Sequence, residues 1–256
     1  MGRLQVETTL GEPAEEHPVM SLEQALDELL TSAWIEENPT EPLKQYARAD
    51  VLAELQRRYE MSDDITLQGN AFDICAYVIG KEAGPWIRQV AEEPVSNLIA
   101  LSFFRALANC IGEEAFELAT GKLNREFPNQ VALTAHALLA FESKQRILEW
   151  MESYVRERNP PIVKDWGQLA AIAGVSWARI TEWLDQGGLL GLIALDAMHC
   201  CFDHDVGGAW LQRMEPVLLE PADSELMAER LKTYADANPT PRVTRTVKLL
   251  LGYLQA

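Results

Sequence analysis

PWIRQVAEEPVSNLIALSFFRALANC (residues 85–110) and ARITEWLDQGGLLGLIALDAMHCC (residues 178–201) can be laid over one another at an offset of 94 residues, and this superposition points to a repeated helical unit. Trp86 then meets Ile180, Val90 meets Leu184, and LIAL at 98–101 meets LIAL at 192–195. Each copy reads as an amphipathic helix, a tight break and a more apolar helix. About one third of the way between them lies VALTAHALLAF (131–141), an offset near 32, followed by RILEWMESYVRE. The register slips once, where PPIVKD delays the apolar segment WGQLAAIAG. An outer helix that is polar on one side can stand at the surface, but an inner helix that is apolar nearly all round is buried only by neighbouring pairs. The expected fold class is therefore all-α, with stacked antiparallel helix pairs forming an α-solenoid; a compact irregular helical domain is the alternative.

The pattern over residues 84–256 resembles that of HEAT-type helical solenoids, with a spacing of about 31–35 residues that lies nearer the tetratricopeptide period. Upstream, residues 21–83 read as an acidic helical part continuous with the repeats. Ser21 with Gln24 three residues on marks a capped helix start, and Leu22, Ala25, Leu26, Leu29, Leu30 and Ala33 recur on one face. Asn38 and Pro39 should stop that helix, a second should run over 41–60, and a third from Ile65 to Ile79, ending at Gly80. Residues 1–20, polar and carrying Pro13 and Pro18, read as a flexible arm.

The formal charge is −17, and it is lopsided: residues 1–128 hold 23 acids against 10 bases, residues 129–256 hold 16 against 12. Such a field repels phosphate backbones and anionic lipid and speeds encounter with a basic protein, so nucleic acid and membrane are disfavoured as partners. The longest apolar stretch, LLGLIALDAMHCCF, is broken by Asp196 and His199 and is too short to span a bilayer. The first residues lack a signal-like apolar core, and the four cysteines (Cys75, Cys110, Cys200, Cys201) form no CxxC pair. Buried thiols in a cytoplasmic protein are expected. None of these features sets the oligomeric state.

Three motifs invite chemistry. LAAIAGVSWARITEWLDQG (169–187) resembles the helix-turn-helix of lactose-repressor-type proteins, which would make Ser176 and Arg179 the DNA-facing residues. Glu182 and Asp185 on the same helix, and the repeat register that already accounts for the turn, oppose it. His204-Asp205 resembles the metal-binding step of HD-type phosphohydrolases, but no histidine occurs over 137–198 to complete such a centre. His199, Asp203, His204 and Asp205, with Cys200 and Cys201, could instead form a single-ion site, with His199 and Asp203 one helical turn apart. Each reading ranks behind a plain helix end.

There is no GxSxG, P-loop, HExxH or dinucleotide fingerprint, and the glutamates, Glu149 and Glu152 among them, read as solvated faces. The leading expectation is a non-enzymatic protein-interaction module without a cofactor, in its most concrete form an inhibitor or immunity-type protein that covers a basic partner. Its candidate contacts are the paired acids Glu36, Glu37, Asp63, Asp64, Glu92 and Glu93.

Overall fold

The computed structural model describes residues 20–32, 38–127, 131–161, 164–202 and 224–255. The arm expected at 1–20 lies outside the described residues apart from Met20. Among the described residues every regular element is a helix, so the all-α class stands.

Helix α1 (Leu22–Leu30) starts as its sequence requires: the Ser21 hydroxyl accepts from Gln24 N–H and the Gln24 side chain accepts from Ser21 N–H, closing a capping box. It buries Ala25, Leu26, Leu29 and Leu30. The single helix expected over 41–60 is two elements, a 3-10 segment at Asn38–Gln45 and α2 (Arg48–Glu60). Pro42 inside the first removes a backbone donor, and Ala47 leaves the helical region at φ −63°, ψ 130°. α3 (Ile65–Ile74) continues as a π-turn to Ile79, matching the expected end at Gly80.

Next come α4 (Gly84–Val90), α5 (Ala100–Ala106) with a π-turn at Leu107–Ile111, α6 (Phe116–Glu126), and α7 (Val131–Thr134) with a 3-10 segment at Ala135–Ala140. Then follow α8 (Lys144–Arg158), α9 (Lys164–Ile172), α10 (Trp177–Gln186), α11 (Gly188–Phe202), α12 (Ser224–Ala237) and α13 (Pro241–Leu254).

The packing alternates along the chain. α3 lies on α5, α5 on the segment Ala135–Ala140, that segment on α9, α9 on α11, and α11 on α13. The intervening helices α4, α6, α8, α10 and α12 sit against members of this row. Bonds between elements keep the same step: Ser102 to Asp73, Arg105 to Asp73, Asn109 to Ala76, Lys122 to Ala91 and Trp183 to Glu152 join residues 29 to 33 apart. Aromatic residues of the row and of the helices beside it pack against one another, with Tyr59, Phe72, Trp86, Phe103, Phe104 and Phe127 forming a chain of ring contacts at 5.2–6.4 Å.

One repeat is sharper than the two-helix pattern indicates. VIGKEA (78–83) and CIGEEA (110–115), 32 residues apart, both end a π-turn, pass through a glycine at φ 64° (Gly80) or 92° (Gly112), and enter a 3-10 turn. Only glycine takes that backbone without strain. Elsewhere a missing side chain sets helix spacing: a Cβ on Gly167 of α9 would stand 2.4 Å from Asp196 Cβ and 2.8 Å from its carbonyl carbon, so α9 and α11 are in backbone contact there.

Candidate functional site

α3 and α5 lie side by side and run parallel. A Cβ on Gly69 would meet Ile99 Cγ2 at 2.9 Å, Asp73 accepts from Ser102 Oγ (2.8 Å) and Arg105 (2.5 Å), and Asn109 donates to Ala76 O (3.5 Å). This register brings the N-termini of both helices, and the loops that lead into them, to one edge; α3 packs directly on the 3-10 turn Asn97–Ile99 ahead of α5.

That edge carries four of the six acids singled out in the sequence. Asp64 is the N-cap of α3, its carboxylate accepting from Thr66 N–H (2.8 Å) and Leu67 N–H (3.4 Å), and Asp63 beside it is exposed. Glu92 and Glu93 are exposed where α4 ends. Glu36 and Glu37 lie outside the described residues. The same edge holds three exposed apolar side chains: Met61 at 73%, Ile65 at 39% and Leu98 at 74%. Leu98 matters most, because its repeat equivalent Leu192 is half-covered while Leu98 stands in water.

The loop that displays Glu92 and Glu93 is held from behind. Lys122 of α6, with 1% of its side chain exposed, donates to Ala91 O (3.0 Å), Glu93 O (2.8 Å) and Glu126 Oε1 (2.7 Å). Glu126 Oε2 in turn accepts from Val95 N–H (3.1 Å). The ammonium caps the C-terminal carbonyls of α4, and its partner carboxylate fixes the chain four residues on. A second pair, with Asp73 buried and Arg105 half-buried, braces the wall behind the edge: burial pushes the Asp73 carboxyl above its ordinary value, and the Arg105 charge and the bonds from Ser102 and Arg105 pull it back. Arg105 also lies over the Tyr77 ring.

The other motifs take structural places. Ser176 is the N-cap of α10, its hydroxyl accepting from Arg179 N–H (3.3 Å), and Gly174 supplies the turn at φ 72°. The Arg179 guanidinium is engaged inside the molecule, with Glu152 at 2.9 Å and Gln145 at 3.2 Å, and both α9 and α10 pack on α11. Glu152 corrects the expectation of a solvated face. It is 13% exposed and gathers Trp183 Nε1–H (3.0 Å), Arg179 and Arg156 (3.3 Å), whereas Glu149 is exposed as expected.

Of the alternative metal set, Asp203, His204 and Asp205 lie outside the described residues; His199 is partly covered and Cys200 and Cys201 are buried. No group of three or more possible metal ligands occurs among the described residues, and no described helix is long and apolar enough to cross a membrane.

No family model matches this chain, and neither a curated protein nor a solved structure matches it. The functional reading rests on the site itself.

Proposed function

We propose that the chain is a non-enzymatic protein-interaction module, a HEAT-like stack of helix pairs whose α3–α5 edge receives a basic amphipathic segment of a partner protein. One observation carries this reading: exposed acids (Asp63, Glu92, Glu93) and exposed apolar side chains (Met61, Ile65, Leu98) share an edge braced by two ion pairs, each with one buried partner. Carboxylates steer and select a basic partner, whereas the apolar groups supply the area whose removal from water gives affinity. The alternating packing and the bond spacing of about 31 residues support the stacked arrangement. A protein that covers the basic active site of a toxin-like enzyme is the specific form that this charge balance favours.

The test uses a fluorescent basic amphipathic helical peptide and its charge-reversed counterpart as probes. The basic peptide should bind and the acidic one should not, with affinity falling as salt rises. Glu92→Gln/Glu93→Gln with Asp63→Asn should weaken binding about tenfold, at roughly 0.5 kcal/mol per exposed charge. Leu98→Ser should cost a similar factor or more, because a leucine leaving water is worth about 1.5–3 kcal/mol. Equal binding of both peptides, or affinity indifferent to all these substitutions, would overturn the proposal.

A further inference from the structure

The last helix is the opposite of the edge in charge. The chain holds 39 acids against 22 bases, yet residues 238–256 contain Arg242, Arg245 and Lys248 and no acid. α13 buries Val243, Val247 and Leu250 against α11 and α12. Arg242, Arg245 and Lys248 then recur every third residue on the side left outward, with Leu249 beside them four residues after Arg245, and all four are exposed. Leu249 is 42% exposed and Tyr253, stacked on Phe202 at 5.5 Å and 14°, is 37% exposed. Arg242 is bound to Asp196 at 2.5 Å, which leaves Arg245 and Lys248 as the outward charges. This helix is thus a preordered basic amphipathic surface, the chemistry that the α3–α5 edge selects.

We infer that the outward face of α13 docks on the acidic edge of a second copy of this chain. The inference rests on the reading of that edge as a site for a basic amphipathic segment. Arg245 and Lys248 would meet Asp63, Glu92 and Glu93, while Leu249 and Tyr253 cover Leu98 and its apolar neighbours. Net charges of like sign oppose association at long range, but at physiological salt that repulsion is screened beyond about 8 Å, so complementary charge at the contact decides. The contact is heterologous: it uses a different surface on each copy, and each added copy brings another unfilled edge and another unfilled helix. Mass should therefore climb with concentration, to a closed ring where the rotation between copies closes and without limit where it does not.

The test is sedimentation velocity of the full chain over roughly 1–100 μM, the range in which small transient interfaces register, at 0.1 M and 0.5 M salt. The wild type should associate reversibly at the lower salt and fall back towards monomer at the higher. Arg245→Glu/Lys248→Glu and Glu92→Lys/Glu93→Lys should each weaken self-association at least tenfold. An equimolar mixture of the two variants should recover a complex, which misfolding of either could not produce. A wild type that stays monomeric throughout, or association that survives both reversals, overturns the inference. If the wild type is monomeric while the basic peptide still binds, the edge reading stands and the self-docking fails. If neither binds, both fail.

Discussion

Replacing Lys122 by methionine keeps the length of a fully buried side chain and removes its charge, so the response isolates the ammonium. Three acceptors lose their donor at once: Ala91 O, Glu93 O and Glu126 Oε1. Breaking a buried pair by removing one partner costs about 3–5 kcal/mol. Glu126 is 19% exposed, so water recovers part of its solvation, which sets the expectation at about 3 kcal/mol. For a chain of this length that is a fall in Tm of about 6–12 °C, at roughly 2–4 °C per kcal/mol. Urea unfolding followed by tryptophan fluorescence measures the loss directly. Lys122→Met/Glu126→Gln should recover about 1 kcal/mol or more, because it removes the carboxylate that the single variant leaves unpaired. Peptide binding at the edge should weaken as well, since the loop carrying Glu92 and Glu93 loses its brace. A loss under about 1 kcal/mol, or a double variant no more stable than the single one, would refute the assignment of Lys122 as a buried three-way cap.

Other consequences are as direct. Hydrogen bonds from Arg57 and Arg58 lower the Glu54 carboxyl from 4.5 to about 2, a depressed folded pKa, so its stabilisation is present above pH 4.5 and is lost as pH falls towards 2. The stability gap between wild type and Glu54→Gln should accordingly be open at pH 6 and closed near pH 2 in a denaturation series; a gap that persists in acid would contradict the pairing. Gly167→Ala drives a methyl into the α11 backbone and should cost about 2–3 kcal/mol in urea unfolding, where an exposed glycine would gain stability from the same change. All four thiols are buried, and burial pushes Cys110 up to about 12 and Cys201 to about 11, so a disulfide reagent at pH 8 should label fewer than one thiol per native chain and all four after unfolding. Rapid labelling of the folded chain would argue against the described packing.

The elements legible in the sequence are those fixed by neighbours within a few residues. Ser21 with Gln24, Asp64 ahead of α3, Gly80 after its π-turn and Gly174-Ser176 ahead of α10 all act on backbone groups no more than six residues away. The proline-bearing segment Asn38–Gln45 departs from the continuous helix expected over 41–60, because Leu43 and Tyr46 keep helical spacing while Pro42 denies the helix a donor. The VIGKEA and CIGEEA repeat was present in the letters, but its meaning depends on a positive φ that only the folded backbone displays.

Composition and periodicity by themselves determined that this chain is helical, acidic towards its first half and built from alternating amphipathic and apolar helices. Helix propensity, capping and burial of an apolar face are written at short range. Which charges meet follows from how the helices pack. Glu152 reads as a surface acid until Arg179 and Trp183, 27 and 31 residues later, close on it. Lys122 reads as a surface base until Ala91 and Glu93 turn their carbonyls towards it. Asp63, Asp64, Glu92 and Glu93 are two separate pairs in the sequence, and the parallel register of α3 and α5 makes them one edge. Asp73, Lys122 and Glu152 find these partners through the packing of elements 27 to 32 residues apart, and no local pattern encodes which side chains then meet.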